Sequence, residues 1–355
     1  MKKTLRVVSA FVLLFPLLIL SRPAEAANKF GICGLKLGEQ VTTACQMAQD
    51  ANLGWYRYMV RWNEIVDNDG NFDWTGLDTQ LANVFAHGLR VILVFRSVHE
   101  LFAPDSGLTD FGHKTVWTAA PPAPEYLEEY KAFVRQLVER YDGDGTFDAP
   151  FVNKRTKISN WGVETEPGKD PDQGSSFWNG TAADYAGLYL VAYDEIKQAY
   201  PEARVFLSAF TTQSMDYFIN NGISFPSEVL RILHESGGDF DVFNLHFYWQ
   251  YTSYDQIHDA ASTHLGLFPE FSSKPIWLTE TNVEWGLLDS NYTEEQYNAF
   301  VAKDIVKRFA MMFDRGVKKV FWFQFRDKDG TWQVPMAPED FTRFAGLTTP
   351  DLTAK

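Results

Sequence analysis

Two glutamates stand out by what precedes them. Glu166 follows an apolar β-type run in "NWGVETEPG", residues 160–168, and Glu280 closes a second such run, "KPIWLTE", residues 274–280. A carboxyl group at the end of a buried strand is rigidly held and meets solvent from one side only. Two such groups in different surroundings divide into an acid and an anion, because burial favours the protonated form while hydrogen-bond donors favour the charged one. Cleavage of a glycosidic bond needs that division: one group protonates the leaving oxygen and the other attacks the anomeric carbon. Carboxyl groups about 5–5.5 Å apart suit the double displacement that retains configuration. Glu164 shares strand parity with Glu166 and is read either as its support or as a rim residue. Arg96, His99 and Glu100 follow another apolar run and are read either as substrate-reaching groups or as loop charge.

Other chemistries find less support. The histidines form neither HExxH nor a clustered pair, so no zinc site is expected. "DNDGN", "DGDG" and "DKDG" lack the full ligand spacing of a calcium loop and read as turns, and no metal or cofactor is expected. The two cysteines, Cys33 and Cys45, lack CxxC spacing and are expected either to form a disulfide or to be inert. Among the 11 tryptophans, Trp178, Trp249, Trp285, Trp322 and Trp332 fall near strand ends. Trp285 and Trp322 are the expected stacking platforms for sugar faces.

The elements that must position these groups repeat. Eight apolar runs read as strands: 30–35, 55–61, 90–95, 158–164, 204–209, 241–247, 276–280 and 319–325. Segments of helical period lie between them. Pro124 opens one, with Tyr130, Phe133, Val134, Leu137 and Tyr141 on a single face. Thr293 and Gln296 form the capping box of another. Repeated βα units imply right-handed crossovers and a parallel sheet, and eight of them imply a closed (β/α)₈ TIM barrel in a single domain. Catalytic groups of such barrels gather at the C-terminal strand ends, where both glutamates fall. After the eighth run the prolines and glycine of the last thirty or so residues leave little room for a full eighth helix.

The order and spacing of four segments resemble the clan A retaining glycoside hydrolases, and among them family thirty-nine and its neighbours. These are "VRWNEIVDNDGNFDWTGLD" (60–78), "RYDGDGTFDAPFVNKRTKISNWGVETEP" (140–167), "FDVFNLHFYW" (240–249) and "KPIWLTETN" (274–282). The resemblance implies Glu166 as acid/base and Glu280 as nucleophile. It implies His246 and Tyr248 as donors near the reacting sugar, and Arg57, with Arg61 as a rival, as the cation beside Glu280. Where the clan carries asparagine before the acid/base, this chain has Thr165, a shorter group with fewer hydrogen-bonding sites.

Residues 1–26 read as a signal peptide: Lys2, Lys3 and Arg6, an apolar run from Val7 to Leu20, and small residues at Ala24 and Ala26. Residues 27–355 are then the catalytic domain of a secreted or periplasmic protein without membrane insertion. The formal charge of −14 becomes still more negative when that segment is removed, which argues against a nucleic-acid partner. The expected partner is an oligosaccharide, polysaccharide or glycoconjugate. A non-catalytic carbohydrate-binding barrel and a transglycosylase using the same residues are the alternatives.

Overall fold

The computed structural model describes residues 29–34, 41–110, 115–168, 177–212, 215, 224–283, 289–324 and 346–347. The eight apolar runs all form strands. In chain order the strands are β1 (Phe30–Cys33), β2 (Trp55–Arg61), β3 (Arg90–Arg96), β4 (Gly107–Asp110), β5 (Thr115–Thr118), β6 (Asn160–Val163), β7 (Arg204–Phe206), β8 (Phe210–Thr211), β9 (Phe243–Phe247), β10 (Ile276–Thr281) and β11 (Val320–Phe323). Nine of them form one parallel sheet in the order β7-β6-β3-β2-β1-β11-β10-β9-β8. β7 and β8 are two pieces of one ring position: β7 pairs with β6 and β8 with β9. A bridge between Phe206 and Val242 joins the two edges and closes the barrel. β4 and β5 form a separate antiparallel hairpin beyond β3, which the sequence reading did not anticipate.

Alternation along the strands sorts side chains into two layers. Cys33, Trp55, Ile92, Val94, Phe206, Val242, Trp277 and Phe321 fill the barrel, with Trp277 edge-on to Trp55 at 5.9 Å and to Phe206 at 4.9 Å. Room for Phe321 comes from Gly31, where any Cβ would lie 2.3 Å from its ring. The opposite parity packs under the helices in a larger core. The described helices are α1 (Val41–Asp50), α2 (Thr75–Ala86), α3 (Leu127–Glu139), α4 (Ala182–Ala199), α5 (Phe225–Ser236), α6 (Tyr254–Gly266) and α7 (Glu294–Asp314). Pro124 opens a 3₁₀ turn that leads into α3, whose stripe from Tyr130 to Leu137 is fully buried. At α7, Thr293 accepts from the Gln296 N–H and the Gln296 side chain accepts in return. The eighth-helix question falls in residues 325–345, outside the described residues. So does the signal segment; no helix among the described residues is long and apolar enough to cross a membrane.

Parity decides between the two readings of the cysteines and corrects one expectation. Cys33 points into the barrel, where its thiol donates to the Trp322 carbonyl at 3.3 Å, while Cys45 on α1 packs in the outer core. With the wall of the barrel between them, both are free and buried rather than bridged. Trp322 follows Phe321 by one residue and therefore faces outward. It is 2% exposed and packs 6.4 Å from Phe309 of α7, out of reach of any sugar.

The "DGDG" segment is a turn built on side-chain acceptors. Asp142 accepts from the Asp144 N–H, Asp144 from that of Thr146, and Asp148 from those of Gly143 and Gly145. Burial, with Asp144, Asp148 and Glu139 nearby, pushes the Asp142 carboxyl from 3.8 up to about 6. Between those values the folded chain binds more protons than the unfolded one, so this group lowers stability as pH rises through the window. Asp142→Asn is expected to gain stability over the parent as pH rises through the window; a difference in urea midpoints that does not change with pH would contradict this. Burial also pushes the Cys45 thiol up to about 11 and raises that of Cys33. Mass spectrometry after iodoacetamide treatment should show no modified thiol in the folded protein and two after unfolding.

Candidate active site

Three strand ends converge at the barrel mouth through two breaks in strand regularity. The first is at β6, where Glu164 has φ +63° and Glu166 φ +45°. Left-handed backbone at a non-glycine residue costs on the order of 1 kcal/mol or more, and it turns a strand end away from simple alternation. Glu164, Thr165 and Glu166 consequently all find partners inside the mouth. Glu164 accepts from the Ser97 N–H at 2.5 Å and faces Arg96 at 3.6 Å. Thr165 accepts from Arg57 at 3.0 Å. Glu166 is hydrogen-bonded to Nδ1 of His246 at 2.7 Å.

The second break is a bulge in β10. Leu278 pairs with Leu245 and Glu280 with His246, two steps on β10 against one on β9. Leu278 belongs to the outer core and Trp277 to the barrel. Strict alternation from there would turn Glu280 outward toward the helices. With the extra residue, Thr279 and Glu280 both face in. Thr279 Oγ lies 3.2 Å from His246 Nε2, and Glu280 Oε1 accepts from Arg57 at 2.6 Å. Glu280 Oε2 accepts from the Tyr248 hydroxyl.

Arg57, Thr165, Glu166, His246, Tyr248 and Glu280 are thus in one connected cluster. Arg57 rather than Arg61 is the partner of Glu280. Arg61 pairs with Glu64 and lies over the Trp117 ring at 4.7 Å. Burial of Tyr248, with Glu280 and Glu166 near, raises its hydroxyl well above the ordinary tyrosine value, so it stays a donor. His99 is a packing residue, 1% exposed, stacked on Phe102 at 4.1 Å, with Nε2 3.1 Å from the Val66 carbonyl. Glu100 is exposed and accepts from Asn63. Trp178 is buried, and its ring nitrogen donates to the Thr181 carbonyl. Trp285 and Trp332 lie outside the described residues.

Behind the cluster, Glu164 is 1% and Arg96 2% exposed. Burial raises the Glu164 carboxyl against the opposing pull of Arg96 and the Ser97 N–H. Arg96 also donates to the Phe177 carbonyl at 2.7 Å, which ties the loop before α4 to the barrel. The sequence marked these two residues individually; nothing in it marked them as a pair.

Glu166, His246 and Glu280 each offer an atom within 4.8 Å of the others, a set that could hold a divalent ion. The guanidinium fixed on Glu280 opposes a further cation there. Glu139, Asp142 and Asp144 form a second such set, whose aspartates already accept backbone N–H groups of their own turn.

Among models of protein families, residues 170–338 match one described as the glycosyl hydrolase catalytic core. The chain matches a glycosyl hydrolase core. That core match takes in Glu280, His246 and Tyr248 and begins just beyond Glu166. Solved structures of the same fold include a monomeric β-xylosidase from Caulobacter crescentus CB15, 17% identical with a TM-score of 0.64 over 94% of this chain and 66% of that one. A family 39 glycoside hydrolase from Bacteroides cellulosilyticus WH2 is 14% identical with a TM-score of 0.62 over 93% and 62%. The family 39 enzyme from Xanthomonas axonopodis pv. citri is 15% identical with a TM-score of 0.64 over 96% and 66%. At these identities the likeness is one of fold, and the chain spans just under two thirds of each of these neighbours. No curated protein matches the chain.

Breaking one half of a buried ion pair leaves the other charge uncompensated, at a cost of about 3–5 kcal/mol. Glu164→Gln should therefore destabilise the barrel by about 3 kcal/mol, and Glu164→Gln with Arg96→Met should recover most of it. Additive losses in a double-mutant cycle would show that the two residues do not act as a pair.

Proposed function

We propose that the chain is a retaining glycoside hydrolase that cleaves O-glycosidic bonds by double displacement, with Glu280 as nucleophile and Glu166 as acid/base. One observation carries the reading. An oxygen of Glu166 and an oxygen of Glu280 lie within 4.8 Å of each other at the barrel mouth. Carboxyls that close leave no room for a water between them, as the inverting route requires at about 6.5–9.5 Å, and suit direct attack.

Hydrogen bonding separates the two roles. Both oxygens of Glu280 are accepting, one from Arg57 and one from Tyr248, so it presents the acceptor-only form a nucleophile needs. Glu166 is 9% exposed and shares its hydrogen bond with an imidazole instead. In the first step Glu280 attacks the anomeric carbon while Glu166 gives its proton to the departing oxygen. In the second, Glu166 takes a proton from water, and that water displaces Glu280. Tyr248 and Arg57 hold the Glu280 carboxylate at the angle of attack. The substrate class is a glycan or glycoconjugate, and the basic start followed by the apolar run Val7–Leu20 supports export from the cytoplasm.

Hydrolysis of a panel of polysaccharides and aryl glycosides tests the reading. Glu280→Ala should abolish turnover of every substrate. Glu166→Ala should lower kcat/KM about 10²–10⁴-fold for poor leaving groups and far less for activated aryl glycosides, which need little proton assistance. Nuclear magnetic resonance of the first product should show retained configuration; an inverted product would rule out double displacement.

A further inference from the structure

The hydrogen-bond chain beneath Glu166 runs through a strand bulge to a residue two positions before His246. Thr279 donates its only hydroxyl hydrogen to Oδ1 of Asn244 at 2.9 Å. Its oxygen, 3.2 Å from His246 Nε2, can then serve that ring only as an acceptor. The imidazole must carry its hydrogen on Nε2. In the neutral ring that leaves Nδ1 as a lone pair, and Nδ1 is the atom 2.7 Å from Glu166 Oε1. A lone pair and a carboxylate cannot bond without a proton between them, so one proton belongs to the Glu166–His246 pair.

We propose that Thr279 and Asn244 are positioning residues that lock His246 in its Nε2–H form, so that Nδ1 keeps a proton on the acid/base pair. The opposite tautomer would place a hydrogen on Nδ1 and let Glu166 accept it as a bare carboxylate, with nothing to give a leaving group. All three members are sealed from water: Thr279 is 0%, His246 1% and Asn244 3% exposed. Bulk solvent therefore offers no competing partner to Nε2, and the preference for the bonded form is that of a buried hydrogen bond. The charged and titratable groups around the ring are Glu166, Glu280 with Oε2 at 3.7 Å from Nδ1, and the Arg57 and Tyr248 bonded to Glu280. On the Thr279 side the Cys33 thiol donates to the Thr279 carbonyl at 3.6 Å, and the Thr279 hydroxyl is the group that faces Nε2. The bulge has a purpose on this account, since it turns Glu280 inward beside a Thr279 that already faces the ring.

The kinetic part of this inference rests on the hydrolase reading; the tautomer part does not. Nitrogen-15 resonance of labelled imidazoles, with the His246 signals assigned by their loss in His246→Gln, should show Nε2 protonated in the parent protein. Thr279→Val removes the acceptor and should change that pattern, whereas Thr279→Ser should restore it. Against glycosides with poor leaving groups, Thr279→Val should lower kcat about tenfold, the worth of one buried hydrogen bond. Activated aryl glycosides should fall less, and Thr279→Ser should stay near the parent value. A parent protein with the hydrogen on Nδ1, or a Thr279→Val protein with an unchanged ring pattern, would overturn the proposal. A loss equal for both leaving-group classes would overturn its link to the acid. If the parent hydrolyses nothing, the spectra still decide the tautomer, and the failure is that of the hydrolase reading.

Discussion

The guanidinium of Arg57 is the point on which the mouth of the barrel depends. It is 5% exposed, carries a full charge, and reaches two strands other than its own: Glu280 at the end of β10 and Thr165 beyond β6. A buried arginine is costly unless its charge and its donors are met. The carboxylate must therefore come to it, and β10 must deliver one. That requirement makes sense of an otherwise awkward strand, bulged to bring Glu280 inside, and of the tight kink that presents Thr165. The fold is fixed lower down by the aromatic packing of Trp55, Phe206, Trp277 and Phe321. The chemistry of the site is fixed where that apolar filling gives way to one cation.

Charges in the mouth are arranged in matched sets. Arg57 meets Glu280, Arg96 meets Glu164, and Arg61 meets Glu64 with its guanidinium over the Trp117 ring. Only the first of these pairs has an acid from β10; the others tie their own neighbourhoods together. Glu166 has an imidazole for a neighbour, with Nδ1 of His246 at 2.7 Å. Two carboxyls close together thereby receive different partners, one a guanidinium and a phenol hydroxyl that both donate to it, the other an imidazole nitrogen.

Much of this was legible from residue types alone. All eight barrel strands follow from apolar runs, because a parallel strand buried on both faces needs nearly continuous apolar sequence. The buried stripe of α3 and the cap of α7 follow from periodicity and from Thr293 with Gln296. The two glutamates stood out because both end such runs. What could not be read depends on broken alternation. The bulge at Thr279 and the left-handed turns at Glu164 and Glu166 have no glycine to announce them. A period of two is the only directional information a strand sequence offers. The same period, kept strictly, explains the outward face of Trp322, and the barrel wall explains why Cys33 and Cys45 are separate. The β4–β5 hairpin was missed because its strands are only four residues long and carry Gly, Thr and Asp among few apolar residues, like a loop.

The extra residue in β10 also bears on how such a mouth could change over generations. Removing Thr279 alone would leave a regular ladder, with Glu280 still inward, Thr281 still outward, and only the hydroxyl under the imidazole gone. Glu280 and the group beneath the histidine are therefore separable by a single codon, one inherited without the other. Strand length between Trp277 and Glu280, counted in any chain of this architecture, becomes a character that records whether the imidazole beside Glu166 has a hydroxyl beneath it.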